Sequence, residues 1–290
     1  MSDRTKISWS DATWSPVTGC TRVSEGCQHC YIDRTPPFRM QHRRFDGTDS
    51  GATTGVLLHP DRLSQPIRWS RPRRIFVCSL ADLFHDDVPD TYIAEVFAVM
   101  AIAAHHTFQI LTKRHGRLKA LLSAPSFGHM VAEQGRRLQI RDGEDWLRVA
   151  AMLNGAPLTN VWLGVSAENQ KWADIRIPAL LDTPAATRRF VSAEPLLGPL
   201  NLRDYLHRAA GAARPRLDWL IVGGESGPGA RGMSLDWARS LRDQCVEAEV
   251  AFHYKQQGTY GGVSKSERTL DGRTWDQFPP VGAPSAQAGA

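Results

Sequence analysis

The sequence predicts an α/β fold built as a parallel (β/α) barrel, partial or full, with irregular insertions. Short apolar runs rich in β-branched and aromatic residues recur along the chain, and most are followed by a helix-like segment. Nearly every run changes to polar residues at its C-terminal end, as barrel strands do where a site is formed. The length of 290 residues suits one barrel-sized domain.

Seven strands are expected, and the runs that predict them are ISWSDATW, RIFVCS, FQILTK, NVWLGVS, RRFVSA, DWLIVGG and AFHYKQ. Helices are expected over Asp61 to Trp69, TYIAEVFAVMAIAAHH, RLKALLSA, DWLRVAAML, Ala173 to Leu181 and LDWARSLRDQCVEAEV. The pair Asp271-Gly272 between alternating residues predicts a small hairpin. We therefore expect a single domain over residues 1–280. Residues 281–290 contain mostly Ala, Gly, Pro and Ser, and we expect a disordered tail there.

The composition is that of a globular protein, with 42% hydrophobic and 22% charged residues. The first residues lack the zones of a secretory signal and no run approaches the length of a membrane helix, so a cytoplasmic location without a membrane partner is expected. The net charge is +5, and arginines concentrate in Arg34–Arg44 and Arg68–Arg74. Such patches attract phosphate backbones, although a solvated basic surface explains them equally well.

The segment Gly19–Tyr31, GCTRVSEGCQHCY, carries three cysteines in the spacing C-x6-C-x2-C. Cys20, Cys27 and Cys30 converge on one centre if the glycines let the loop fold back. Three thiolates satisfy three irons of a [4Fe-4S] cluster and leave the fourth iron open, whereas electron-transfer clusters take four cysteines. A Cys3His zinc site using His29 or His42, a redox motif and coincidence among buried cysteines are the alternatives.

The two other cysteines, Cys78 and Cys245, lie in apolar runs and are predicted to be buried. Five cysteines in this pattern argue against a disulfide framework and favour a reducing compartment.

Polar residues at the strand ends predict a site at one mouth of the barrel. They are Asp82, Lys113, Ser166, Glu168, Asn169, Ser192, Glu194, Glu225, Ser226 and Lys255. A second interpretation is that these acidic residues cap the following helices or pair with arginines. The sequence contains no P-loop, no G-x-G-x-x-G, no H-E-x-x-H and no G-x-S-x-G, which argues against ATP, NAD, a zincin site and a standard serine hydrolase.

The motifs GCTRVSEGCQHCY, FVCSLADLFH, ILTKR, WLGVSAEN, FVSAEPLLGPL, WLIVGGESG and YKQQG follow one another along the chain. In order and spacing they resemble a family of phage and prophage proteins of unassigned function. That family is grouped with the radical S-adenosylmethionine enzymes and is similar to their spore photoproduct lyase branch. The resemblance extends to about Pro280. The first cysteine gap of this chain has six residues, where the commonest superfamily pattern, C-x3-C-x2-C, has three.

The resemblance implies an enzyme, a lyase or a transferase, in which Cys20, Cys27 and Cys30 hold a [4Fe-4S] cluster and S-adenosylmethionine binds the open iron. It implies that an electron donor drives formation of a 5′-deoxyadenosyl radical, which abstracts hydrogen from the substrate. It also places His29 near the adenine of the cofactor.

Among the strand-end residues, those expected to form the S-adenosylmethionine pocket are Asp82, Ser166, Glu168, Glu194 and Glu225. DNA or a nucleotide is the expected substrate, in a repair or modification reaction, because the basic loops and the likeness to the spore photoproduct lyase branch both favour it. A peptide or a small metabolite is the next expectation. The hypothesis from a different class is a noncatalytic protein in which a zinc or iron–sulfur knot stabilises a nucleic-acid-binding surface.

Overall fold

The computed structural model of the chain describes residues 5–138, 143–184, 186–207, 215–227, 229–260 and 263–280. The predicted disordered tail, residues 281–290, lies outside these ranges. Among the helices in these ranges, none has both the length and the apolar character needed to cross a bilayer.

Strands of the described residues have the following bounds: β1 Ala12–Trp14, β2 Val17–Thr18, β3 Leu57–Leu58, β4 Arg74–Val77, β5 Thr107–Thr112, β6 Val161–Ser166, β7 Arg188–Ala193, β8 Trp219–Gly223, β9 Ala251–Gln256, β10 Gly258–Tyr260, β11 Val263–Lys265, β12 Thr269–Leu270 and β13 Arg273–Thr274. The α-helices of the same residues are α1 Pro36–Met40, α2 Asp90–Ile102, α3 His115–Ser123, α4 Pro125–Arg137, α5 Gly143–Ala151, α6 Gln170–Leu181, α7 Arg203–Leu206 and α8 Leu235–Glu247.

The main sheet contains seven strands of the described residues in the order β1-β4-β5-β6-β7-β8-β9. The pairs β1–β4, β4–β5, β7–β8 and β8–β9 are parallel. Successive main strands are sheet neighbours, and helices lie between most of them in sequence, which is the strand order of a (β/α) barrel. Since β1 and β9 end this order, the sheet is the partial form, and the predicted fold class and its seven strands are confirmed.

The chain divides into two compact units, which are described separately below. Unit 1 comprises Met1–Trp162 with Thr183–Thr187, and unit 2 comprises Leu163–Asp182 with Arg188–Ala290. The single domain over residues 1–280 stays a prediction.

In unit 1, the core forms because β4, β5 and α2 are apolar on nearly every side. Ile75 and Phe108 lie in register on neighbouring strands and are fully buried. Helix α2 is buried along most of its length, and its Phe97 meets Phe127 of α4 edge to face, with ring centroids 5.1 Å apart. Strands and helices buried on several faces read as continuous apolar runs, which is the pattern of this part of the sequence.

In unit 2, the core is centred on Trp219 of β8, which is fully buried. Its ring lies 5.5 Å from the ring of Phe190 on β7 and 5.1 Å from that of Phe278. The indole N–H donates to the carbonyl of Gln277 at 2.9 Å, so the C-terminal segment is fastened to the sheet by both apolar and polar contacts.

Two helix predictions need correction. The expected helix over Asp61 to Trp69 is two short 3-10 turns, Pro60–Arg62 and Pro66–Arg68, because a proline inside the segment cannot donate a helical hydrogen bond. Helix α4, Pro125–Arg137, is absent from the helices expected from the sequence. Gly128 and Gly135 lower the helix propensity of this segment. Gly128 is nevertheless required by the packing, because a Cβ there would lie 2.1 Å from the Met152 carbonyl oxygen.

The predicted hairpin at Asp271-Gly272 is confirmed as the antiparallel pair β12–β13. Both turn residues have positive φ, 54° and 74°, as a two-residue primed turn requires.

Candidate metal centre

The cysteine loop of unit 1 begins at Gly19, which directly follows β2. Gly19 has a φ of 98°, and a Cβ at this position would lie 1.7 Å from the Gly55 carbonyl oxygen. Its N–H donates to the carbonyl of Leu80 at 2.9 Å. Only glycine permits this close approach, so the sequence Gly19-Cys20 fixes where the loop leaves the sheet.

Cys20 is held by the segment of residues 53–55. Its backbone N–H donates to Thr54 Oγ1 at 3.0 Å, and its carbonyl accepts from the Thr54 N–H at 3.1 Å. The next residue, Thr21, forms a bridge with Thr53 and a 2.8 Å contact between its hydroxyl and His85 Nε2. The first cysteine is therefore positioned by two strand-like segments rather than by a flexible turn.

Cys27 ends a 3-10 turn, Glu25–Cys27, and its N–H donates to the Ser24 carbonyl at 2.9 Å. The Cys30 N–H donates to the Cys27 carbonyl at 3.2 Å, so the C-x2-C pair lies on one continuous turn. The buried side chain of Ile32 anchors the turn that follows. This local geometry explains how two thiols two residues apart come to share one side of the loop.

The three cysteines are free thiols and half-buried. Burial raises the pKa of the Cys20 thiol above its usual value, and the charges of Asp82, Cys27 and Cys30 raise it further. Burial also raises the pKa of Cys30, with Cys27 contributing in the same direction. Arg114 acts against this rise at Cys20, and Lys113 does so at Cys30, so two cations border the thiols.

The arrangement is not a preformed metal cage. Within the described ranges, no group of three or more His, Cys, Asp or Glu side chains is arranged to hold a metal ion. The histidines weighed for a zinc site, His29 and His42, therefore do not complete one with the thiols in this geometry. The chemical type of the donors still matches a cluster that takes three protein ligands, because Cys20, Cys27 and Cys30 are three free thiols of one loop.

Asp82, predicted to contact S-adenosylmethionine, is buried and influences the Cys20 thiol. Its Oδ1 accepts hydrogen bonds from the Thr112 hydroxyl at 2.7 Å and the Phe84 N–H at 3.0 Å. Its Oδ2 accepts one from the Lys113 N–H at 3.0 Å. The carboxylate thus connects the ends of β4 and β5 beside the cysteine loop, and a role in cofactor binding stays a prediction.

The other four predicted pocket residues belong to unit 2. Glu194 Oε1 lies 2.8 Å from Lys255 Nζ, and its Oε2 accepts from the Ser192 hydroxyl at 2.9 Å. Glu225 receives two side-chain hydrogen bonds from Arg231, at 2.7 and 3.0 Å. Both carboxylates therefore have cationic partners, and the Glu225 partner is an arginine, as the alternative interpretation of the sequence expected.

Glu168 forms the most buried ion pair of unit 2. Its Oε2 lies 2.8 Å from Arg176 Nη1, and both side chains are fully buried. The same Nη1 donates to the Ser166 carbonyl, and the guanidinium lies over the Trp172 ring, 4.1 Å from its centroid. Among the described residues, Glu168 Oε1 and Arg176 Nη2 have no hydrogen-bond partner. Ser166 and Glu168 are thus brought together, through an arginine that the sequence reading did not single out.

The sequence reading also missed Arg43. Its guanidinium donates to the carbonyls of Gly55, at 2.6 Å, and Thr18, at 3.3 Å, and to the Thr18 hydroxyl at 3.0 Å. It also lies over the Phe38 ring, 4.5 Å from the centroid. Arg43 sits in the stretch interpreted only as a basic patch, and nothing in that composition distinguished it from its exposed neighbour Arg44.

Comparisons with known proteins complete the description. A family model described as protein of unknown function (DUF5131) matches residues 4–279. A cysteine-to-serine mutant of spore photoproduct lyase is similar to this chain with a TM-score of 0.46 and 13% identity, covering 91% of this chain and 69% of that one.

A tyrosine-to-phenylalanine mutant of the same enzyme has a TM-score of 0.41 and 12% identity, with 86% and 66% covered. Its complex with dinucleoside spore photoproduct has a TM-score of 0.35 and 11% identity, with 79% and 58% covered. No curated protein matches this chain.

Proposed function

Since the chain belongs to the DUF5131 family, whose function is unknown, we propose from its own residues that it is a radical S-adenosylmethionine enzyme that acts on DNA or a nucleotide. The observation that carries the proposal is the loop with Cys20, Cys27 and Cys30, three free thiols of one short segment, with Arg114 and Lys113 among the charged groups that act on Cys20 and Cys30. A three-thiolate set is the ligand set of a [4Fe-4S] cluster with one open iron.

The three cysteines would hold the cluster, and Lys113 and Arg114 would offset the negative charge of the thiolates. The chemistry supplied by such a cluster is transfer of one electron from an external donor to S-adenosylmethionine, whose sulfonium carbon–sulfur bond breaks to give methionine and a 5′-deoxyadenosyl radical. Gly19 and the residue 53–55 segment keep the loop in place during this cycle. Asp82, Ser166, Glu168, Glu194 and Glu225 stay proposed as pocket residues for the cofactor.

The substrate class is proposed from charge. Arg34, Arg39 and Arg44 are exposed on the segment that follows the cysteine loop, and Tyr31 and Met40 are exposed beside them. Exposed arginines interleaved with an aromatic and an apolar side chain suit a phosphate backbone and its bases.

A direct test starts from protein purified anaerobically. We expect about four irons per chain, a brown colour, and release of 5′-deoxyadenosine when S-adenosylmethionine and dithionite are added with a DNA or dinucleotide substrate. Replacing Cys27 with Ala should remove the iron, while the matched control Cys245→Ala should keep it, because Cys245 is fully buried in α8 of unit 2. Full iron content in the Cys27→Ala protein would rule out the proposed ligand set.

One observation favours the second candidate, a noncatalytic zinc or iron–sulfur protein that binds nucleic acid. The ion pairs of Glu168, Glu194 and Glu225 neutralise carboxylates that would otherwise repel phosphates. Stoichiometric zinc in a colourless protein, with DNA binding but no 5′-deoxyadenosine, would select this candidate over the enzyme.

A further inference from the structure

Unit 1 contains a cavity of about 120 Å³ next to the cysteine loop. Thr18, Arg43 and Leu80 line it, and the same three residues contact the loop at Gly19 or neighbour it in sequence. A single buried water needs a cavity of roughly 10–15 Å³. This cavity therefore accommodates a group several times larger than water, such as a phosphate.

Three basic side chains line the cavity: Arg43, His59 and Arg62. His59 Nε2 lies 2.8 Å from the Thr18 hydroxyl, which also accepts a hydrogen bond from Arg43. Burial lowers the pKa of His59, and Arg62 and Arg43 both lower it further while Asp61 raises it. The positive charges around the cavity are therefore close enough to disfavour one another.

No carboxylate lines the cavity to balance this charge, among the described residues. Arg43 donates to carbonyl and hydroxyl oxygens only, in the hydrogen bonds given above. Arg62 has a carboxylate partner in Asp61, but the two groups are 4.0 Å apart and the Asp61 side chain is 78% exposed, so water screens this pair. The rest of the lining consists of four hydroxyl-bearing residues, one amide and three apolar residues: Thr13, Ser15, Thr18, Ser79, Gln41, Pro37, Phe38 and Leu80.

We propose that this cavity is a binding site for a phosphate group, held by Arg62, His59 and Arg43 beside the cysteine loop. Two cations and an imidazole around a small cavity suit an oxyanion, and the planar donor forks of arginine suit phosphate oxygens in particular. Only the identity of the molecule that contains the phosphate, a nucleotide or DNA, rests on the proposed function. Carboxylates are the other oxyanions of comparable size, and the experiment separates the two.

The test titrates inorganic phosphate, and in parallel acetate and methionine, into anaerobically purified protein by isothermal titration calorimetry. We expect saturable one-to-one phosphate binding that weakens at least tenfold in Arg62→Gln and in His59→Gln. The matched control Arg137→Gln removes one charge from an exposed position of α4 in the same unit and should bind as the parent does. Arg43 is left intact because it also holds the loop.

A second readout follows His59 directly. Phosphate binding should raise the pKa of His59, because a bound anion opposes the effect of Arg43 and Arg62 on the imidazole. NMR titration measures this pKa, and the His59 signal is assigned as the imidazole signal that is lost in His59→Gln. Circular dichroism checks that each variant is folded. Absence of saturable phosphate binding, an equal loss in Arg137→Gln, or tighter binding of acetate or methionine than of phosphate would each overturn the proposal.

The Cys27→Ala protein separates this inference from the proposed function. Phosphate binding should persist in this variant although it lacks iron. If the parent protein also lacks iron but binds phosphate, the proposed enzyme function is refuted and the phosphate site is retained. Iron and 5′-deoxyadenosine formation without phosphate binding would do the reverse.

Discussion

Replacing Gly19 with Ala should open the cysteine loop. The new methyl group would lie 1.7 Å from the Gly55 carbonyl oxygen and 2.4 Å from Arg43 Nη2. Moving that carbonyl breaks its hydrogen bond to Arg43, and a hydrogen bond to a charged group contributes about 1.5–3 kcal/mol. A φ of 98° costs an alanine roughly 1–2 kcal/mol more. The two effects sum to about 2.5–5 kcal/mol.

Gly51 offers a matched control in the same unit. Its φ is 95°, but a Cβ there meets nothing within 4 Å, so Gly51→Ala carries the backbone strain without the collision. The difference between the two variants isolates the contact with Gly55 and Arg43, about 1.5–3 kcal/mol, which is on the order of 10- to 100-fold in local opening.

Hydrogen exchange measured by mass spectrometry reports this opening at the amides of Gly19 and Thr54, which are bonded to Leu80 and Cys20. We expect much faster exchange in Gly19→Ala than in Gly51→Ala, with reduced iron content after anaerobic purification. Equal exchange rates in the two variants would show that the close approach of Gly19 to Gly55 does not hold the loop.

Two further predictions concern unit 2. Burial lowers the pKa of His253 to about 4. Between about pH 6.5 and about pH 4 the unfolded chain therefore binds a proton at this residue that the folded chain does not bind. The free energy of unfolding falls over this range as pH drops, by up to roughly 3 kcal/mol. Urea midpoints at pH 7 and pH 5 should therefore differ less in His253→Phe than in the parent, and an unchanged difference would contradict the prediction. Glu168→Leu and Arg176→Met should each destabilise the protein by about 3–5 kcal/mol by leaving a buried charge unpaired, whereas the double variant should recover most of that loss. Urea unfolding measures all three variants, and a double variant as unstable as the sum of the singles would show that the pair is not coupled.

The sequence was sufficient for the strand pattern because apolar β-branched runs are buried on both faces of a parallel sheet, as in β5, β6 and β8. The spacing of Cys20, Cys27 and Cys30 places them on one loop, whereas their convergence on a single cluster stays a prediction. Helix α4 was missed because its packing depends on glycines that face backbone, as Gly128 faces Met152. Propensity cannot reveal such a contact, since it counts glycine as unfavourable wherever it occurs in a helix.

The partners of the strand-end carboxylates could not be predicted for a similar reason. Arg176 follows Glu168 by eight residues across a strand end and two turns of helix, and Lys255 is sixty-one residues from Glu194, so neither pairing has a fixed sequence spacing. Once the partners are known, the carboxylates differ in chemical availability. Glu168 is fully buried, so a ligand reaches its carboxylate only by displacing Arg176 or the side chains packed around the pair. In the other pair, the Lys255 side chain is 31% exposed and the Glu194 side chain is 15% exposed. Of these two carboxylates, Glu194 is therefore the one whose ion pair a ligand can enter at lower cost.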